Sequence, residues 1–288
     1  MIRPFFIALQ FLTRIPVRLA GEPSPRELGL SLLYYPLVGL LLGALLAGGA
    51  WLLLRSGIPP LLGAALILSL WVALTGALHL DGLADSIDAW AGGRGDRERT
   101  LAIMKDPASG PQGVTGLVLV LLLKFAALHS LLGAMNLLAS PLAPLAPPEP
   151  LAPLVPLAPL PHMVSLLPLL LAPLLARTGL PLLFLTTSYV RPGGLGASLA
   201  AGMPRPAARA VLVAAALATV AVAGLLGQFL AGCLGLSLAL ATFTWLRHLM
   251  RQRIGGTTGD TAGALVEIIE TLVLLGLVIA LPLLFWPR

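Results

Sequence analysis

Three aspartates, Asp81, Asp85 and Asp88, follow one another at i, i+4 and i+7 in the string LHLDGLADSIDA. On a helix advancing ~100° per residue, that spacing brings three carboxylates onto one face. Like charges so close repel and raise one another's pKa, so the arrangement calls for a counter-charge. Hard oxygen ligands of this kind suit Mg²⁺ or Mn²⁺, cations that keep several waters and bridge to substrate phosphates. A solvated helix end is the plain alternative, but three acids on one face beside an apolar run are poorly explained by solubility. A second acidic face recurs near the C-terminus, where Asp260 and Glu267 stand i, i+7 apart and Glu270 lies one turn on. Apolar residues flank Glu267 and Glu270, and an ionisable group in such a run marks either function or pairing with another buried charge.

Lys124 and Arg177 are cations inside apolar runs. They are either ligands for a diphosphate or the counter-charges of those acids, and the sequence leaves both open. The run Gly-Gly-Thr-Thr-Gly-Asp at Gly255 to Asp260 offers backbone N–H groups and the Thr257 and Thr258 hydroxyls at a helix N-terminus, which suits a phosphate. The spacing of Gly255, Gly259 and Gly263 suits close helix packing equally well. His79 falls on the face opposite the aspartates, and His129, His162 and His248 are isolated. With Cys233 the lone cysteine, zinc spacing is missing and structural roles are expected for all of these. No Ser-His-Asp order, Walker loop or dinucleotide glycine fingerprint is present.

The elements that must position these residues follow from composition. Of 288 residues, 58% are hydrophobic and 10% charged, against ~25% charged in an ordinary soluble domain. The chain therefore reads as a single all-α, polytopic integral-membrane domain covering residues 1–288. Seven apolar runs are long enough to span: about Leu28–Leu54, Leu61–Leu80, Val114–Leu138, Val164–Leu185, Ala210–Gly227, Gln228–Leu246 and Thr261–Phe285. Pro4 to Leu12 reads as an interfacial helix ending near Pro16. Met1 to Ala20 carries Arg3, Arg14 and Arg18 through its length and lacks a continuous apolar core, so a cleavable leader is not expected. Ser140 to Pro161 is a Pro/Leu/Ala-rich low-complexity loop whose closely spaced prolines exclude a regular spanning helix.

The formal charge is +6. With the N-terminus in the cytoplasm, 14 of the 18 Lys and Arg fall on the cytoplasmic side, as the positive-inside rule requires. The basic excess is thus an orientation signal, and no nucleic-acid partner is implied. Six of the twelve acids lie between Asp81 and Asp106, and the polar loops after the second, fourth and sixth spans are expected to meet on that same face.

Five strings carry a family likeness: FLTRIPV at Phe11–Val17, YYPLVGLLLG at Tyr34–Gly43, LHLDGLADSIDA at Leu78–Ala89, IMKDPASGPQG at Ile103–Gly113 and GGTTGDTAGALVEIIE at Gly255–Glu270. Together, over nearly the whole chain, the sequence resembles the cobalamin synthase family, the adenosylcobinamide-GDP ribazoletransferases. The resemblance implies a multi-pass enzyme of the cytoplasmic (inner) membrane, its active site facing the cytoplasm and its cofactor Mg²⁺. It implies that α-ribazole, or its 5′-phosphate, attacks the corrinoid-side phosphorus of adenosylcobinamide-GDP through the ribose 3′-hydroxyl. GMP is expelled and adenosylcobalamin, or its 5′-phosphate, is formed.

Carried over by position, Asp81, Asp85 and Asp88 match the metal-binding acids, and Lys105 with Asp106 the basic–acidic pair before a glycine turn. Asp260 and Glu267 match the acids of the last motif, and Lys124 and Arg177 the intramembrane basic positions. Catalysis is therefore expected of Asp81, Asp85, Asp88, Asp260 and Glu267, and substrate contacts of Lys105, Asp106, Lys124, Arg177, Thr257 and Thr258. The loop Lys105 to Gly113 departs from the family's usual pattern, and the Pro-rich segment looks like an insertion. The implied partners are the two substrates and the lipid bilayer, with a homo-oligomer left open. Two other readings stand beside this one. A CDP-alcohol phosphotransferase also clusters aspartates, but its DGxxAR signature breaks at Asp85. A cation transporter would place its acids near mid-bilayer, whereas Asp81 to Asp88 close a span.

Overall fold

The computed structural model describes residues 2–139 and 166–285; the Pro-rich segment from Ser140 to Pro161 lies outside the described residues. Helix α1 (Ile2–Leu12) packs its apolar face on the bundle. Helix α2 (Pro25–Ser31) opens on a capping box. The Ser24 hydroxyl accepts the Glu27 N–H at 3.3 Å, and the Glu27 carboxylate accepts the Ser24 N–H at 2.9 Å. One 3₁₀ turn joins α2 to α3 (Tyr35–Arg55), and the two make one apolar span.

Helix α4 (Pro60–Thr75) starts on a proline and stops at Gly76 and Ala77, both left-handed with φ of 61° and 59°. Gly76 takes that conformation freely, whereas Ala77 bears a cost of roughly 1–2 kcal/mol. Helix α5 (Leu78–Gly92) then leaves at 88° to α4. The span expected over Leu61–Leu80 is corrected accordingly. Apolar residues continue past Thr75, but the left-handed pair closes the helix and turns its successor across the end of the bundle. The acidic helix α5 is therefore set off from α4 by a sharp break, and the two pass as a span only as a bent pair. Helix α6 (Arg97–Ile103) is capped by Asp96, whose carboxylate accepts the Arg99 N–H at 2.8 Å. The remaining helices are α7 (Pro111–Ala139), α8 (Leu167–Thr186), α9 (Leu195–Gly202), α10 (Arg205–Leu225), α11 (Phe229–Ile254) and α12 (Gly259–Phe285). Six spans pass by length and apolarity, or seven when α4 is counted with its bent partner.

Helices α8 and α12 form the centre, 67% and 61% of their apolar windows being buried against 17% for α10. Leucines such as Leu40, Leu122 and Leu217 point outward, as a surface facing lipid requires. Glycines set the closest approaches. A Cβ on Gly39 of α3 would lie 2.5 Å from the Pro173 carbonyl of α8, and one on Gly82 of α5 would lie 2.7 Å from the Asp260 carbonyl of α12. Gly263 faces the His79 backbone in the same α5–α12 contact, so the packing reading of this glycine holds. Gly255 does something else: at φ 76° it closes α11.

The polar loops converge at one end, as expected, and arginines bind them there. Arg205 and Arg247 donate to the Leu185 carbonyl (2.8 Å) and the Thr187 hydroxyl (3.0 Å) at the end of α8. Arg97 reaches the Ile254 carbonyl at the end of α11 at 2.9 Å, and Arg253 the Trp90 carbonyl at 3.0 Å. Cations suit helix C-termini, where carbonyls lack partners and the dipole is negative.

The α3–α8 contact makes Gly39→Val an overpacking change, expected to cost about 1–3 kcal/mol. Its melting midpoint in detergent should fall clearly below that of Gly48→Val, since nothing lies within 4 Å of a Cβ at Gly48. Equal midpoints would refute the close approach.

Candidate active site

The 88° turn and the glycine contact bring the start of α5 onto the first turn of α12, with the α8–α9 loop beside them. Between these elements lies a cavity of about 280 Å³. Asp81, Asp260 and Arg191 line it together with Phe11, Phe184 and Tyr189. Asp81 is exposed, while Asp85 and Asp88 are half-buried. Burial first, then the charges of Asp81, Asp260 and Asp88, push the Asp85 carboxyl up to about 6. The carboxylates therefore share one field, as the sequence spacing predicts, and Asp260 joins them from another helix.

The three aspartates do not act alike. Both oxygens of Asp88 are taken, by the Gly110 N–H at 2.7 Å and the Gly113 N–H at 2.8 Å. Asp88 thereby caps α7 from a distance. A Cβ at Gly110 or Gly113 would lie 2.5 or 2.3 Å from an Asp88 oxygen, which accounts for both glycines of the loop. Asp81 and Asp85 have no hydrogen-bond or ion-pair partner among the described residues. No three His, Cys, Asp or Glu side chains among the described residues converge as a ready metal cage. Each Asp88 oxygen thus already accepts one loop amide, whereas Asp81 and Asp85 keep all their oxygen lone pairs open among the described residues.

Asp260 accepts from Arg191 Nη2 at 2.8 Å and from the Thr258 hydroxyl at 3.4 Å. Arg191 also donates to the Met104 carbonyl at 3.3 Å. It was not among the residues the sequence marked. Its loop is fixed by a parallel bridge, Val190 N–H to the Thr257 carbonyl and Thr257 N–H to the Ser188 carbonyl, each 2.9 Å. Thr257 and Thr258 are fully buried. The Thr258 hydroxyl accepts the Thr261 N–H at 3.2 Å, the Thr261 hydroxyl accepts the Thr258 N–H at 2.9 Å, and the Thr257 and Thr261 hydroxyls meet at 2.9 Å. These hydroxyls cap α12, and neither threonine lines the cavity beside Asp81. Lys105 and Asp106 are exposed on the α6–α7 loop, where Asp106 accepts the Ala108 N–H at 2.9 Å. Neither lines the cavity, although they follow Met104, to which Arg191 docks.

Lys124, Arg177 and Glu267 meet elsewhere. Lys124 Nζ lies 2.6 Å from Glu267 and 2.5 Å from Glu270, and Arg177 pairs with the other oxygen of Glu270. Trp71 Nε1 donates to Glu270 at 3.3 Å, and its ring lies 4.7 Å from Lys124 Nζ. Two cations and two anions cancel inside the bundle, all of them buried, and none lines the cavity. The charge-partner reading left open by the sequence is the one this geometry fits. His79 is buried as expected, yet its Nδ1 has no hydrogen-bond partner among the described residues. Burial, with Arg177 and Lys124 behind it, pushes its pKa well below the usual value, so the imidazole is neutral.

A second cavity of about 370 Å³ lies on the other side of Asp81, lined by Gln10, Thr13, Arg14 and Thr75. The Arg14 N–H donates to the Leu74 carbonyl at 2.7 Å. Its guanidinium crosses Gly76 so closely that a Cβ there would lie 2.0 Å from Arg14 Nε.

These features define a polytopic membrane enzyme whose acidic site, flanked by arginines, sits at one end of a helical bundle. The family model described as cobalamin-5-phosphate synthase matches residues 4–278. The chain belongs to that family and is a transferase of cobalamin synthesis. An adenosylcobinamide-GDP ribazoletransferase of Pseudomonas putida KT2440 is 55% identical over 280 residues, 96% of this chain and 99% of the relative. One from Pseudomonas aeruginosa PAO1 is 53% identical over 277 residues, 96% and 98% of the two chains. No solved structure matches the chain.

If the buried network is structural, Lys124→Met should destabilise the fold by about 3–5 kcal/mol, because two carboxylates lose their cation. Lys124→Met combined with Glu267→Gln should recover a substantial part of that loss. Thermal melting reads both, and a Lys124→Met protein as stable as the parent would overturn the structural assignment.

Proposed function

We propose that the chain joins adenosylcobinamide-GDP and α-ribazole, or α-ribazole 5′-phosphate, and releases GMP. The ribose hydroxyl oxygen attacks the corrinoid-side phosphorus, a new O–P bond forms, and the bond from that phosphorus to the GMP oxygen breaks. GMP leaves with the electron pair, and the hydroxyl proton passes to a carboxylate. The observation that carries this reading is the position of Asp81, unpaired among the described residues and on the shared wall of two cavities that each hold an arginine, Arg191 in one and Arg14 in the other. A two-substrate transfer of a charged group calls for two chambers that meet at the reacting phosphate, with cations on both sides.

Mg²⁺ suits this donor set. It is commonly held by one or two carboxylates while substrate phosphates and waters complete its shell, and Asp81 and Asp85 are the acids with open oxygens. Bound there, the ion would neutralise charge on the diphosphate and on the departing GMP. Crowding of Asp85 by Asp81, Asp260 and Asp88 is the kind of repulsion a cation relieves. Asp260, held by Arg191 at 2.8 Å and Thr258 at 3.4 Å, is our candidate to take the ribose proton. Arg14 and Arg191 bind the diphosphate from opposite chambers.

The setting we propose is the cytoplasmic (inner) membrane with the site facing the cytoplasm. Of 18 Lys and Arg, 14 belong to the N-terminal segment and to the loops, short helices and helix ends at the site's end, which the positive-inside rule assigns to the cytoplasm. The transporter alternative is not favoured, because the acids inside the spans, Glu267 and Glu270, are already neutralised by Lys124 and Arg177.

Purified protein in lipid nanodiscs, given Mg²⁺, adenosylcobinamide-GDP and α-ribazole, should yield GMP and cobalamin in equal amounts. Asp85→Asn should lower kcat by at least about 100-fold while leaving the melting midpoint near that of the parent, and EDTA should silence the parent reversibly. Near-normal turnover in Asp85→Asn, or in EDTA, would rule out the cation assignment.

A further inference from the structure

The cavity beside Asp81 has two unlike ends. Exposed Asp81 and half-buried Asp260 and Arg191 mark the open end. The remaining wall is apolar and aromatic, with Phe11, Leu180, Phe184, Tyr189, Leu195 and Leu199. Tyr189 is fixed there by two glycines: a Cβ on Gly194 or Gly196 would lie 2.6 or 2.2 Å from its ring atoms or hydroxyl. Buried His79 belongs to the same wall, and its Nδ1 lacks a hydrogen-bond partner among the described residues. A buried polar atom without a partner is costly, and a ligand that supplies the missing hydrogen bond removes that cost.

At about 280 Å³ the cavity falls just below the ~300–1,000 Å³ of pockets that enclose a drug-sized ligand whole. It has room for one flat bicyclic base and none for a corrin ring. Aromatic side chains on its wall suit a π-system. Guanine would bring a ring N–H, an amino group and a carbonyl against a largely apolar surface, leaving polar groups unpaired. A benzimidazole exposes one ring-nitrogen acceptor, which one donor can satisfy.

Resting on the transferase reading above, we propose that this cavity is the acceptor-nucleoside pocket. The benzimidazole base of the ribazole lies against Phe184 and Tyr189 with His79 at its ring nitrogen, and its ribose faces Asp81 and Asp260 at the open end. The cavity lined by Arg14 is left for the guanosine diphosphate of the other substrate. His79 and Leu195 thereby set which nucleoside is accepted, without touching the reacting phosphate.

The test uses the full-length protein in nanodiscs and two readouts, calorimetric titration with α-ribazole alone and steady-state KM for each substrate. Leu195 is 48% exposed, so Leu195→Trp narrows the pocket from its surface edge and should fold. It should weaken α-ribazole binding and raise its KM at least about tenfold, equivalent to ~1.4 kcal/mol, and leave the KM for adenosylcobinamide-GDP unchanged. His79→Asn keeps a nitrogen near the Nδ1 position and should bind α-ribazole several-fold more tightly than His79→Leu. Unchanged α-ribazole affinity in Leu195→Trp, a rise confined to the corrinoid KM, or competition for the pocket by GMP would overturn the proposal. Equal affinity in the two His79 variants would overturn the His79 contact. A parent that binds α-ribazole in a Leu195-dependent way yet releases no GMP would sink the reaction and keep the pocket. Turnover with undisturbed α-ribazole binding in Leu195→Trp would do the reverse.

Discussion

At Gly82 the backbone of α5 rests directly on the backbone of α12, next to Asp260, and Gly263 meets the His79 backbone one turn away. Any side chain at Gly82 would push the two helices apart by the width of a methyl group or more. Asp81 and Asp85 on one helix and Asp260 on the other lie in a common field because this contact exists. The left-handed pair Gly76–Ala77 makes the contact reachable, since it swings α5 by 88° across the bundle end. Gly76 is needed twice, for its positive φ and because the Arg14 guanidinium occupies the space of a side chain. Ala77 has only the first constraint and no glycine to relieve it, and backbone strain of this kind tends to gather at functional sites.

Depth separates the acids of α12 into two roles. Asp260 stands in the first turn, where Arg191 and solvent stabilise it. Glu267 and Glu270 lie about 10–15 Å further along the axis at 1.5 Å per residue. There an isolated charge would be prohibitive, and each is neutralised by Lys124 or Arg177. Next to that network, burial first and then the two cations hold the His79 pKa well below its usual value. A neutral ring can give one hydrogen bond and accept one, whereas an imidazolium can only give.

Much of this was legible in the residues, for identifiable reasons. Apolar runs of spanning length depend on local sequence, so most of the long helices fall where composition places them. The family likeness likewise rests on contiguous motifs. What stayed hidden depends on contacts between distant segments. The bend at Gly76–Ala77 lies in a run that is apolar on both sides, so hydropathy alone carries it through to Leu80. Asp88 looks equivalent to Asp81 and Asp85 until the glycines 22 and 25 residues later are found on its oxygens. Thr257 and Thr258 have the right chemistry for a phosphate, but Thr261 engages them first. Arg191, in a loop with no acidic neighbour in sequence, gains its meaning from Asp260, 69 residues away.

Two cavities meeting at one carboxylate also bear on how the reaction would run. In-line displacement puts the attacking and leaving oxygens on opposite sides of phosphorus, so two large substrates are best brought to it from different directions. Asp81, Phe11 and Leu78 line both cavities, so the partition between them comes from α1 and the first turn of α5. Both elements are held by the α4–α5 bend: Arg14, two residues beyond α1, bonds to the Leu74 carbonyl, and α5 begins at Leu78. A single local feature of the backbone therefore orients the acids, seats Arg14 and divides the space. Substitutions that straighten the bend would be expected to disturb both substrates together, whereas changes within one chamber would disturb one.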